Sequence, residues 1–277
     1  MGDGGRWVEQ ALEFVAARST GQPIDPGLRV ELHFHPDRRF GGLPILAVMA
    51  RDGEYRSQFE TGTSNGGLTA HPGGDRWRWE SRLFGSAYDD APAHARPKYG
   101  ALNFRRRNTG AAPRFGSAFF RLTSKCLART TFCYPDSVFE PVDVGVAQRM
   151  SLVDLALADN RDLLDDYVEA QVHGSVLLAE DVESVVLDPC FRNTEIAELA
   201  ARLPCAVEWH DGLRLAVGEL RKQPDYRGAH IADLGVSLAQ NGFLDARIIG
   251  DAARSGDYDA QELKRVWHCV ARFGRPA

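Results

Sequence analysis

The chain has 277 residues, 44% hydrophobic and 26% charged, a globular balance that excludes a disordered or fibrous chain and suffices to bury a substantial core. No apolar run approaches the ~20 residues of a membrane span, and Met1-Gly-Asp-Gly-Gly-Arg-Trp7 lacks the basic start and apolar stretch of a secretory signal. A net charge of −5 argues against a nucleic-acid surface, and five cysteines without a C-x-x-C pair suit scattered thiols of a reducing compartment rather than disulfides or structural zinc. A soluble, cytoplasmic protein is therefore expected, with no membrane or nucleic-acid partner; export as an effector without a cleavable signal stays open.

In chain order, Trp7, Val8, Ala11, Leu12 and Val15 recur at helical spacing and predict an amphipathic helix over 5–18. After a Pro/Gly break, residues 29–35 alternate as a strand, with Val30, Leu32 and Phe34 on one face and Glu31, His33 and His35 on the other. Residues 45–51 read as a short apolar helix closed by Gly53. Residues 61–74 form a loop of small residues (Thr63, Ser64 and Asn65 among them), suited to close approach to a ligand. Trp77 and Trp79 alternate with Arg76 and Arg78 just after it. Arg96-Pro-Lys-Tyr-Gly-Ala-Leu-Asn103 follows, then a second loop at 108–116 and a strand at 117–122.

Residues 151–166 look helical and acidic, and a strand runs through Tyr167-Val-Glu-Ala-Gln-Val-His-Gly174. A further β-rich stretch ends at Val185–Leu187, and helical patterns dominate from Glu195 onward. Helix, many short strands, then helices argue for an α+β fold with antiparallel pairing, divided as a core of residues 1–194 and a C-terminal helical region, 195–277, packed on it.

Three features carry chemistry. Alternation places Tyr167, Glu169, Gln171 and His173 on one strand face, a carboxylate, amide and imidazole that could line a cleft or be a polar outer face. The H-x-H pair His33/His35 could present two zinc ligands, contact a non-metal ligand or be structural. Residues 91–135 carry nine basic and no acidic side chains, whereas 136–198 carry fifteen acidic against three arginines. Such an island suits a phosphate or pyrophosphate site, or a solvated face paired with the acidic region. Arg96 and Arg114 stand beside prolines near glycines, where restrained backbone can approach a bound phosphate. Ser117 could be a nucleophile, but no Ser-His-Asp ordering accompanies it.

The order of these segments resembles the ADP-ribosyltransferase superfamily, in which successive strands supply a His or Arg, a Ser/Thr/Tyr element and a catalytic Glu. More closely, His33-Phe-His-Pro-Asp37, Arg96–Asn103, Pro113-Arg-Phe-Gly-Ser117, Arg129-Thr-Thr-Phe132 and Tyr167–Gly174 resemble a bacterial family long labelled a domain of unknown function, associated with CteC-type effectors that ADP-ribosylate a threonine of ubiquitin. The matching motifs span about residues 30–192. The resemblance implies an ADP-ribosyltransferase-like split of mainly antiparallel β-sheets with flanking helices, NAD as cofactor and a protein acceptor. Glu169 would hold the ribose 2′-hydroxyl and stabilise the charge developing on the ribose. His33 or His35 would bind the adenosine ribose or the nicotinamide amide, Arg96 and Arg114 the pyrophosphate, and Tyr99 or Tyr55 would stack on nicotinamide. Thr63, Ser64, Asn65, Ser117 and Gln171 complete the NAD-binding set. One departure is plain: where the superfamily often shows E-x-E or Q-x-E, this chain has Glu169-Ala-Gln171, a single carboxylate. The competing readings are a metal-dependent hydrolase using His33/His35 and a non-catalytic binding module docking through the acidic 136–198 face.

Overall fold

The computed structural model describes residues 3–63 and 69–276. Eight strands form one sheet: β1 (Val30–Phe34), β2 (Lys98–Leu102), β3 (Ala118–Leu122), β4 (Thr130–Tyr134), β5 (Asp143–Val146), β6 (Val168–Val172), β7 (Val182–Leu187) and β8 (Ala206–Trp209). Their order is β8-β7-β3-β1-β2-β6-β4-β5. Every pair is antiparallel except β7 with β8. The α-helices of six or more residues are α1 (Asp3–Ala16), α2 (Ile45–Asp52), α3 (Asp75–Leu83), α4 (Leu152–Ala158), α5 (Glu195–Ala200), α6 (Ala229–Leu238), α7 (Ala246–Ser255) and α8 (Ala260–Phe273). The fold is thus mixed α+β, a large, mostly antiparallel sheet with flanking helices. Among the described residues no helix is long and apolar enough to cross a membrane.

The period-2 pattern of β1 sorts its side chains as expected. Val30, Leu32 and Phe34 join Leu102, Phe120, Phe132 and Ala170 in the main core, covered by Leu46 and Met49 of α2 and Leu199 of α5. Gly53 closes α2 in the left-handed conformation (φ 68°), its N–H returning to the Met49 carbonyl. The opposite face is covered at its ends. A second cluster (Ala11 and Val15 of α1, Trp79 and Leu83 of α3, with Phe84, Tyr88, Cys133, Val144 and Val146) packs at the β4–β5 end. At the other end sits the C-terminal region, with its own core around Trp267, Val266, Ile231 and Leu244. It is docked by Trp267 Nε1 donating to the Pro113 carbonyl at 2.9 Å and by the His210 imidazole bonded to the Ser117 carbonyl at 2.9 Å.

Two expectations change. The helix expected over 151–166 stops at Ala158, because Asp159 leaves helical geometry (φ −84°, ψ 152°). Its carboxylate accepts instead from Asn160 N–H, Tyr134 Oη and Arg161 Nε, the local competition that short acidic side chains offer a helix. The region after Glu195 is also not helical throughout: Ala206–Trp209 adds a parallel edge strand to the main sheet, and its alternation after Pro204 is the signal that the helical reading passed over.

Candidate active site

Strand register assembles the polar face. Glu31 of β1 pairs with Ala101 of β2, Ala101 with Glu169 of β6, and Glu169 with Cys133 of β4. In the next row Tyr99 pairs with Gln171 and Gln171 with Thr131. A slip of one residue in any pair would turn these side chains into the core, so the alternation along β1 and β6 is what brings the histidine strand and the Glu169 strand to one face.

Glu169 is 5% exposed. Its Oε2 accepts from Ser137 N–H at 3.3 Å and Ser137 Oγ at 3.1 Å, and its Oε1 accepts from Gln171 Nε2 at 3.2 Å. Arg76 of α3 faces Oε1 at 4.0 Å, its guanidinium lying over the Tyr99 ring at 4.3 Å and near the Trp79 ring at 5.3 Å. Burial raises the Glu169 carboxyl above its ordinary value, the Arg76 charge opposes this, and Asp136 adds to it. The result is one buried carboxylate, braced by donors and faced by a stacked cation.

This carboxylate forms part of the wall of a cleft of about 530 Å³, within the range of small-molecule sites. Of the residues singled out in the sequence, His33, His35, Thr63, Tyr99, Arg114 and Glu169 line it, as does Tyr55. Ser64 and Asn65 lie outside the described residues. Gln171 is fully buried, supporting Glu169 and accepting from Thr131 Oγ1 at 2.9 Å. Ser117 is buried, its carbonyl bonded to His210, and it is not part of the cleft lining.

Arg96 does not line the cleft. It is 3% exposed, paired with the buried Glu80 at 2.7 Å, bonded to the Tyr88 carbonyl and stacked on Phe59 at 4.2 Å. The same Glu80 accepts from Tyr99 Oη at 2.6 Å, so Arg96 and Glu80 hold Tyr99 in place.

His33 is engaged at both nitrogens: Nδ1 donates to the Gly116 carbonyl at 3.2 Å and Nε2 accepts from Ala112 N–H at 3.2 Å. Burial pushes it down to about 3, leaving it neutral. A side chain at residue 116 would meet the Phe34 carbonyl at 2.1 Å, so only glycine allows this approach. His35, also pushed down to about 3 by burial, packs against Trp267 edge-on at 5.4 Å. Among the described residues no group of three or more His, Cys, Asp or Glu is placed to hold a metal ion. His173 sits away from the cleft: Thr131 Oγ1 donates to Gln171, so it accepts from His173 Nε2–H, and Nδ1 then accepts from Tyr88 Oη at 2.8 Å.

The basic island is mostly paired with the acidic stretch. Arg105 and Arg107 share Asp166, Arg114 holds Asp165, and Lys125 and Arg129 share Asp181. Arg121 bonds Glu208 at 2.7 Å. Of the two readings of this island, the face paired with the acidic region accounts for five of these side chains, and Arg121 finds its carboxylate beyond it. The cleft-lining groups that the sequence did not single out include Arg38, Arg76, Asp136, Ser137 and Lys264. Arg76 had a usable signal, since helical spacing places it one turn from Trp79 and Glu80; Lys264 had none, because its approach to the cleft is made by the docking of α8.

A comparison with curated proteins finds no match to this chain. The family model described as Protein of unknown function (DUF3626) matches residues 29–160 and 150–273, spanning the sheet, the cleft and the C-terminal region alike. The chain belongs to the DUF3626 family.

Proposed function

We propose that this chain is a NAD-dependent mono-ADP-ribosyltransferase that modifies a protein acceptor, with Glu169 as its catalytic carboxylate. The observation that carries the reading is the Glu169 geometry: a buried carboxylate braced by Ser137 and Gln171, faced by Arg76 and exposed to a cleft of about 530 Å³. Bound NAD supplies the scissile bond between ribose and a positively charged nicotinamide. In this reading Glu169 would supply the fixed negative charge that stabilises positive charge developing on the ribose, and an oxygen to accept a bond from the ribose 2′-hydroxyl. Because burial disfavours the charged form of this carboxyl, a cationic ring in the cleft and the Arg76 guanidinium both act to keep it ionised. Glu169 also accepts the proton of the incoming acceptor hydroxyl in this scheme. Tyr99 and Tyr55 present aromatic surface to the cleft; one face of Tyr99 carries Arg76, which leaves Tyr55 the freer ring for stacking.

The finer fold assignment, an ADP-ribosyltransferase-like split sheet, belongs to the same proposal. Its support is the adjacency of β1, β2 and β6, which carry the histidines, Tyr99 and Glu169. The resemblance of the motifs to CteC-type effectors suggests a threonine of ubiquitin as acceptor, and hence an exported effector or toxin.

The test is transfer from labelled NAD to ubiquitin and other candidate acceptors, with nicotinamide release measured in parallel, for the wild type and Glu169→Gln. Loss of a charge aimed at the transition state is expected to cost roughly 10²–10³ in rate. Transfer that survives the substitution undiminished refutes the assignment, provided the variant melts like the wild type.

A further inference from the structure

The cations that sequence reasoning assigned to a pyrophosphate are already paired. An anion site needs cations on the cleft wall that are not already held by a carboxylate. Arg114 is held by Asp165, with Asp136 at 4.0 Å, Arg76 faces Glu169, and Arg56 is paired with Asp52. Arg38, Arg39 and Lys264 differ; Arg39 spends its Nε and Nη2 on the Gly42 carbonyl of its own turn, which leaves Arg38 and Lys264. Among the described residues neither has a carboxylate within 4.0 Å, and the one side-chain hydrogen bond of Arg38 among them goes to the Thr63 carbonyl at 3.3 Å. They reach the cleft from different elements, Arg38 from the turn after β1 and Lys264 from the second turn of α8, and are close enough for their charges to be felt.

Their surroundings sharpen the point. Lys264 is half-buried, and burial together with the nearby charges of Arg114, Arg38 and Arg227 holds its ammonium below the usual lysine range. The charges acting on it are those of Arg114, Arg38 and Arg227, with His35 and His268 close by; the carboxylates of this region lie beside the arginines, Asp37 near Arg38 and Asp165 and Asp136 on Arg114. His268, 6% exposed and one turn along α8 from Lys264, has a buried Nε2 with no hydrogen-bond partner, and the buried Nε of Arg114 has none either. The amides at the start of α8 are not free donors, because the Asp259 side chain accepts from Gln261 and Glu262 N–H at 2.9 and 3.0 Å. The side chains, not the helix terminus, make the site.

Like charges gathered on a half-buried wall repel one another, and the arrangement is relieved by an anion that bridges them. We propose that Arg38 and Lys264 form the diphosphate-binding end of the cleft, so that the C-terminal region completes the nucleotide site instead of merely covering the core. A diphosphate carries two phosphoryl groups, enough to engage an arginine fork and a lysine together. The identity of the nucleotide rests on the proposed ADP-ribosyl transfer; the anion site itself does not.

The experiment measures binding of inorganic pyrophosphate and of ADP-ribose by calorimetry for the wild type, Lys264→Met, Arg38→Met, Lys264→Arg and Glu169→Gln, with NAD turnover in parallel. Both methionine variants are expected to weaken pyrophosphate and ADP-ribose by roughly ten-fold or more, the scale of one charge-assisted contact. Lys264→Arg is expected to recover most of that loss, and Glu169→Gln to bind pyrophosphate as the wild type does. If NAD is turned over, the defect of Lys264→Met falls on KM more than on kcat. Ligand-free Lys264→Met melts at or above the wild-type temperature, since repulsion is removed; a merely structural lysine would lower it. The inference is overturned if wild type binds neither anion, or if both methionine variants bind them within two-fold of wild type. Turnover with an unchanged KM in these variants sinks this inference and leaves the enzyme reading standing. Lys264-dependent anion binding without any NAD turnover does the reverse.

Discussion

The Arg76–Glu169 pair offers a test of the site that needs no substrate. Both side chains are largely buried, 14% and 7% exposed, at 4.0 Å. With an effective dielectric near 20, two unit charges at this separation attract by about 4 kcal/mol, an upper value worth about 3 pH units on the carboxyl. Arg76→Met removes the attraction while keeping much of the apolar contact with Tyr99 and Trp79. The Glu169 carboxyl is already raised by burial, and the substitution raises it further. The sign follows from linkage: a carboxyl whose folded value lies above its unfolded one contributes stability that is full below about 4.5 and lost as pH rises through the folded value. Arg76→Met is therefore expected to cost more at pH 8 than at pH 5. Lost packing and the weak bond to Ser137 Oγ contribute equally at both. Urea unfolding of the wild type, Arg76→Met, Glu169→Gln and the double variant gives the coupling energy directly, and any contribution of Glu80 cancels in the cycle. The expected coupling is about 2–4 kcal/mol at pH 8 and smaller at pH 5. Equal coupling at the two pH values, or less than about 1 kcal/mol at pH 8, would refute the picture of a buried carboxylate kept ionised by Arg76.

Other expectations concern the fold and its titration. His173 is fully buried and pushed down to about 3 by burial; the unfolded chain takes up its proton near 6.5, so stability falls as pH drops below that value. Between pH 6.5 and 5 His173→Gln should lose about 2 kcal/mol less than the wild type, and parallel losses would show that the imidazole is not held neutral. Glu31, raised by burial to about 7, acts in the opposite sense: its contribution is complete below about 4.5 and fades as pH rises through 7. Glu31→Gln should accordingly flatten the decline in melting temperature between pH 5.5 and 8. Leu32→Ala empties a fully buried position between the sheet and α2 and should cost about 2–5 kcal/mol in unfolding free energy, with pyrophosphate binding by the folded variant unchanged.

The parts of this protein legible in its sequence are those set by short-range periodicity. Alternation along residues 30–34 and 168–172 decides which side chains enter the core and which form the polar face, because neighbouring strand residues necessarily point to opposite sides. Gly53 ends α2 because a left-handed residue suits glycine, again a local matter. Glu169 could be singled out on that basis, as the carboxylate of a polar strand face. What composition could not decide is how charges pair, since pairing depends on distances across the fold. The island at 91–135 looks like an anion site in one dimension, yet most of its cations are neutralised by carboxylates dozens of residues away. Arg96, the expected phosphate ligand, spends its charge on Glu80 beneath Tyr99. Conversely, Arg38 and Lys264 are unremarkable in sequence and become neighbours only when α8 docks through Trp267 on the turn before β3. Periodicity acts between adjacent residues and is written in the chain; electrostatic complementarity acts through space and exists only once the sheet, the cleft and the C-terminal helices are assembled.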